Sequence, residues 1–134
     1  MLGELIGEGT GKVIGQRVLP SDLHGPKMEV SFQSVGKLLG VEITENGTYW
    51  SAMRANGTLY GEGQGIAMGK DGEALSWKGN GIGRIAPNGT IQYRGAIYYQ
   101  TSHTKLARLN GIVGVFEFET DAQGNAKGGT WEWK

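Results

Sequence analysis

The chain is punctuated by a recurring pair, Asn-Gly or Asp-Gly, in Glu45-Asn46-Gly47-Thr48, Ala55-Asn56-Gly57-Thr58, Lys70-Asp71-Gly72-Glu73 and Pro87-Asn88-Gly89-Thr90. A looser version follows in Asp121-Ala122-Gln123-Gly124-Asn125. Asn and Asp tolerate positive φ, and glycine reaches it without a steric cost, so these pairs favour the tight turns that reverse an antiparallel hairpin. Between the turns lie extended segments rich in β-branched and aromatic residues: Val41–Thr44, Thr48–Arg54, Thr58–Met68, Glu73–Ile85, Thr90–Thr101, Ile112–Thr120 and Ala126–Trp133. Two more strands are expected earlier, at about Gly3–Leu19 and Lys27–Gly36, the first long enough to need a bulge near one of its glycines. The total is eight or nine strands. Helix is confined to a turn or two at His103–Leu109, ended by Asn110-Gly111.

Side-chain alternation sorts the strands into faces. Ile91, Tyr93, Gly95, Ile97 and Tyr99 share one face, opposite Gln92, Arg94, Ala96 and Tyr98. Ile112, Gly114, Phe116 and Phe118 align in the same way. Closing the meander into a ring removes unpaired strand edges and buries these apolar rows. The expected fold is therefore all-β, a closed antiparallel meander β-barrel of about eight strands. With 134 residues and no linker or low-complexity tract, residues 1–134 are expected to form a single barrel domain.

Glycine is used in a second way. Gly7-Glu8-Gly9-Thr10-Gly11, Gly61-Glu62-Gly63-Gln64-Gly65 and Gly79-Asn80-Gly81-Ile82-Gly83 place glycine at alternate positions inside three strands, so each triplet lies on one face. In-strand glycine costs backbone entropy and packs nothing, so the space it leaves must be used. Strong curvature, aromatic rings laid over the glycine floor, or tight subunit packing would use it. So would a cavity in which a ligand approaches the backbone, with Gly63 and Gly81 making room and Trp77 and Tyr93 as a lining pair.

With these strands in place, Leu109-Asn110-Gly111-Ile112-Val113-Gly114-Val115-Phe116 followed by Gly128-Gly129-Thr130-Trp131-Glu132-Trp133 resembles the closing strands of the allene-oxide-cyclase-type barrels. Plant dirigent proteins and related barrels of undefined function are similar. The resemblance implies a hydrophobic small-molecule cavity and assembly into homo-dimers or homo-trimers, but offers no catalytic motif to carry over residue by residue.

Other chemistries are disfavoured. None of the triplets completes Gly-x-Gly-x-x-Gly, because the last required positions are Lys12, Ile66 and Arg84, and no helix follows to hold a phosphate. Equal numbers of acidic and basic residues, 13 each, supply no field for nucleic acid. No cysteine is present, and His24 and His103 form no ligand motif, so no metal or cofactor is expected. The start lacks a signal-peptide pattern and no apolar run is long enough to span a bilayer as a helix, which gives a cytoplasmic, non-membrane expectation. The Asn-Gly-Thr triplets at Asn46, Asn56 and Asn88 then mark corners and not glycosylation sites.

The leading functional expectation is a barrel binding a small apolar or mixed-polarity molecule in its lumen. An isomerase or cyclase-like enzyme is the alternative, with Glu62 assisting proton transfer if its face points inward. A third possibility is a packed structural or interaction domain without a ligand.

Overall fold

The computed structural model describes residues 2–134. Eight strands follow one another around a closed barrel, each antiparallel to its neighbours: β1 (Leu2–Asp22), β2 (Gly25–Leu38), β3 (Val41–Met53), β4 (Leu59–Gly69), β5 (Ala74–Ile85), β6 (Ile91–Gln100), β7 (Gly114–Thr120) and β8 (Asn125–Trp133). Pairing of β8 with β1 closes the ring. Among the described residues no helix is long and apolar enough to cross a membrane.

Four of the five turn signals reverse the chain as expected. Gly57, Gly72, Gly89 and Gly124 all hold φ between 82° and 88°, the left-handed region that a side chain would strain. The fifth does not. Asn46-Gly47 lies in the middle of β3, with Asn46 paired to Gln33 and Ile66, and Gly47 to Phe32 and Gly65. Local propensity gave way to packing here: a Cβ on Gly47 would stand 2.6 Å from the Phe32 ring and 2.9 Å from that of Trp77. The two short segments expected on either side of residue 46 are thus one strand of 13 residues.

A bulge breaks the β1–β2 register between Val13 and Gly15, and the hairpin continues to Asp22. Beyond it, His24 packs between Trp50 and Tyr60 on the outer surface, at centroid distances of 5.2 and 5.9 Å. The short helical run is a 3-10 helix, Thr104–Gly111, capped by His103, whose Nδ1 accepts the Lys105 N–H. Its Leu106 and Leu109 are buried against Ile6, Leu38, Ala67 and Leu75, so it plugs one end of the barrel. Arg108 of this helix bonds both Glu4 of β1 and Glu132 of β8, tying the plug to the strands that close the ring.

The glycine rows shape the wall. Gly9 faces Gly36 and Gly128 across β1, β2 and β8, while Gly81 faces Gly61 and Gly95 across β4, β5 and β6. At Gly95 an added Cβ would fall on the Asn80 carbonyl oxygen and 2.6 Å from the Gly81 Cα. At Gly36 it would fall on the Glu8 carbonyl oxygen and 2.6 Å from the Gly9 Cα. The strands curl so tightly at these two places that backbone occupies the volume of an inward side chain. Eight strands with such corners enclose a lumen wide enough for side chains or one small ligand.

Candidate functional site

Inside the wall is a cavity of about 150 Å³. On one side it meets the leucine plug through Leu38, Ile43 and Leu75. On the other it is bounded by an aromatic cluster in which Phe32 and Phe118 are 5.1 Å apart and Tyr49 meets Tyr93 edge-on at 5.6 Å. Trp77, Tyr99 and Phe116 complete its aromatic lining.

Glycine and ring sizes are matched along this lining. The Trp77 indole lies where Cβ atoms of Gly47 and Gly65 would stand, and the Tyr93 ring lies over Gly83, 2.6 Å from the place of its Cβ. The ring pairs themselves, such as Tyr49 edge-on to Tyr93, each add about 0.5–1.5 kcal/mol beyond area burial. The glycines therefore provide curvature and room for rings together, and a cavity remains where the rings end.

The lumen also carries polar groups. Glu45 sits between Ile43 and Gly47 on the inner face of β3 and accepts a 2.8 Å hydrogen bond from the Ser34 hydroxyl. Burial pushes its carboxyl above the ordinary carboxylate range, because removing the charged form from water outweighs the help of Ser34 and of the nearby Trp77 indole. That indole N–H is itself buried and meets no acceptor with hydrogen-bond geometry among the described residues, although it lies close enough to Glu45 to favour its charge. Burial pushes the Tyr99 phenol up to about 12 against the opposing effect of Thr130 beside it, with the Glu45 charge adding to the rise. The phenol of Tyr49 is also raised by burial. Tyr93 is raised in the same way, and its hydroxyl shares a 2.6 Å hydrogen bond with that of Ser51. These three phenols thus remain neutral at physiological pH, and of them Tyr99 is the one that feels the Glu45 charge.

The residues singled out from sequence divide by strand parity. Trp77 and Tyr93 both face the cavity, and Gly63 and Gly81 lie in its wall. A Cβ at Gly63 would stand 2.6 Å from that of Tyr49, and one at Gly81 would stand 2.7 Å from the Arg94 carbonyl oxygen, so both also serve the bend. Glu62 alternates with Gly61 and Gly63, and its carboxylate is exposed on the outer surface, where it accepts a 2.6 Å hydrogen bond from Tyr60. Glu8, Arg84, Arg94 and Tyr98 are exposed as well. The lumenal carboxyl is Glu45, which the turn reading of Glu45-Asn46-Gly47 had hidden. Its signal was available in the alternation Val41, Ile43, Glu45, Gly47, Tyr49, an acidic residue on an otherwise apolar row.

No protein-family model matches the chain, and no curated protein matches it. Among solved structures it is similar to a protein of unknown function from Clostridium acetobutylicum, with TM-score 0.83 and 13% identity over 99% of this chain and 98% of the other. A conserved protein of unknown function from Rhodopseudomonas palustris matches with TM-score 0.80 and 14% identity over 99% of each chain. A β-barrel-like protein from Acinetobacter baumannii matches with TM-score 0.82 and 12% identity over 100% of this chain and 96% of the other. At these identities the likeness is one of fold: a closed, eight-stranded antiparallel barrel shared with other barrels, without the mark of the allene-oxide-cyclase type in particular.

Proposed function

We propose that this barrel binds a small, largely apolar molecule in its lumen, between the leucine plug and the aromatic cluster. The observation that carries the reading is the cavity of about 150 Å³, walled by aromatic rings yet holding a half-buried carboxyl and a buried indole N–H with hydrogen-bonding capacity to spare. Cavities of that size and lining hold compact ring compounds. Trp77 and Tyr93 are the contact residues, and the glycines opposite them keep the wall far enough back. In this reading the protein acts in the cytoplasm as a homo-dimer or homo-trimer, as in the barrels its closing strands resemble. Exposed Val35, Ile66 and Met68 on β2 and β4 offer apolar surface to a second copy.

Native mass spectrometry of freshly purified protein tests this directly. A retained small molecule, lost in a Gly79→Ala variant that remains folded, is the expected result. At Gly79 the new methyl meets its nearest neighbour, the Ala96 carbonyl oxygen, at 3.0 Å and narrows the wall without striking a neighbouring Cα. Wild-type protein that carries no adduct and takes up no small aromatic probe would overturn the reading. The same spectrum reports the oligomer.

Glu45 also favours a second reading, an isomerase or cyclase-like activity. A carboxyl raised by desolvation, beside the Ser34 hydroxyl and near the neutral Tyr99 phenol, is suited to move a proton on a molecule held against it. This role falls to Glu45 and not to the outward-facing Glu62. Chemical change of the retained molecule by wild type, but not by Glu45→Gln protein that still binds it, would establish catalysis.

A further inference from the structure

We infer that the molecule held in the lumen is a small organic cation, an ammonium group on a compact apolar body, with Glu45 as its counter-ion. The inference rests on the proposal of lumenal binding and adds the chemical class of the ligand.

Charge placement carries the argument. Of the charged residues along the cavity, Glu8, Lys37, Glu62, Glu117 and Lys127 are exposed at the outer surface, whereas Glu45 is turned inward. The groups that act on Glu45 are the Ser34 hydroxyl and the Trp77 indole, both neutral. A half-buried carboxylate in such a place has a hydroxyl partner in Ser34 but no cationic one among the described residues, and a charge withdrawn from water without a countercharge is costly. A ligand cation would remove that cost. An anion would be repelled by Glu45 and would find no arginine or lysine inside among the described residues, and a neutral hydrocarbon would leave the carboxyl desolvated with Ser34 as its main partner.

The walls point the same way. Aromatic rings present a negative face, and Tyr49, Trp77, Tyr93, Tyr99, Phe116 and Phe118 line the cavity from four strands. Such faces attract a cation by about 0.5–2 kcal/mol, more where water is excluded. A cage of rings closed by one carboxylate is an arrangement that favours ammonium over a neutral group of equal shape. Volume sets the body: about 150 Å³ admits a single six-membered ring with a short arm.

The test is isothermal titration of the folded protein with three probes of matched shape, benzylamine, benzyl alcohol and toluene, at pH 8. The expected order places benzylamine about tenfold or more tighter than benzyl alcohol, the scale of a desolvated cation–π and ion-pair contact. In Glu45→Gln protein the preference for the amine should vanish while toluene binding changes less than about twofold. Equal or weaker binding of benzylamine, with toluene or benzyl alcohol still bound, overturns the cation and leaves the lumenal site standing. An amine preference that survives in Glu45→Gln overturns the role of Glu45. Failure of all three probes overturns the lumenal site itself. The wild-type series decides the ligand class even if the variant does not fold.

Discussion

Replacing Gly95 by alanine separates curvature from cavity formation as the use of in-strand glycine. Its new Cβ would overlap the Asn80 carbonyl oxygen and approach the Gly81 Cα to 2.6 Å and the Asn80 carbonyl carbon to 2.8 Å. All three are backbone atoms, so no rotamer change can relieve the overlap. The β5–β6 ladder must open near Asn80–Gly81 instead. Overpacking of this kind costs about 1–3 kcal/mol, and one or two weakened ladder hydrogen bonds add about 1 kcal/mol each. Lower entropy of the unfolded chain returns about 0.5–1 kcal/mol, leaving a net loss of about 3 kcal/mol. Gly15→Ala is the matched control, because nothing lies within 4 Å of its Cβ and its φ is not positive; it should stabilise by about 0.4–1 kcal/mol. Urea unfolding followed by circular dichroism reads both. With m about 2 kcal/mol/M, Gly95→Ala should lower the midpoint by about 1.5 M at unchanged m. A Gly95→Ala midpoint within about 0.25 M of wild type would refute the claim that backbone crowding fixes glycine there.

Three further outcomes follow from the interior. Glu45→Gln should be more stable than wild type at pH 7–8. The raised carboxyl binds its proton more readily in the folded state, so wild type gains stability as pH falls through that raised value, and the gap should close towards pH 4.5; paired thermal melts across pH measure it. Leu109→Ala should cost about 2–5 kcal/mol in urea unfolding, because the side chain is fully buried in the plug, and should speed exchange of any lumenal probe seen by NMR. Tyr93→Phe should cost about 1 kcal/mol through loss of the Ser51 hydrogen bond, measured by thermal melting, and leave the aromatic packing intact.

The barrel was legible because its information is local. Asn56-Gly57, Asp71-Gly72 and Asn88-Gly89 turn the chain for reasons contained in those residues, and alternation along 91–99 marks which side chains go inward. Residue 47 failed the same reading because its glycine is demanded by Phe32 and Trp77, which come from other strands and meet it only after closure. That one misplaced turn concealed Glu45, since a residue assigned to a corner has no face. Trp77 and Tyr93 could be chosen from sequence as a lining pair because alternation alone places them. Glu62 could not be aimed in the same way until the glycine rows on either side were known to face the lumen. The tight Leu39-Gly40 corner, with Leu39 at φ 50°, carries no familiar turn signature and has to be read from the structure. Nor could the run Thr104–Gly111 announce itself as a plug, because the end it fills exists only once β8 has paired with β1.

With a small molecule taken up in the lumen against Trp77, the Trp77 indole N–H is the reporter closest to it. Titrating toluene into 15N-labelled protein and following the four indole resonances, assigned by single Trp→Phe variants, gives a direct reading. A saturable shift at Trp77 is expected, with Trp50, Trp131 and Trp133 unmoved on the outer surface. A Trp77 resonance that stays fixed up to the solubility limit of toluene, or indole shifts confined to the outer tryptophans, would contradict it.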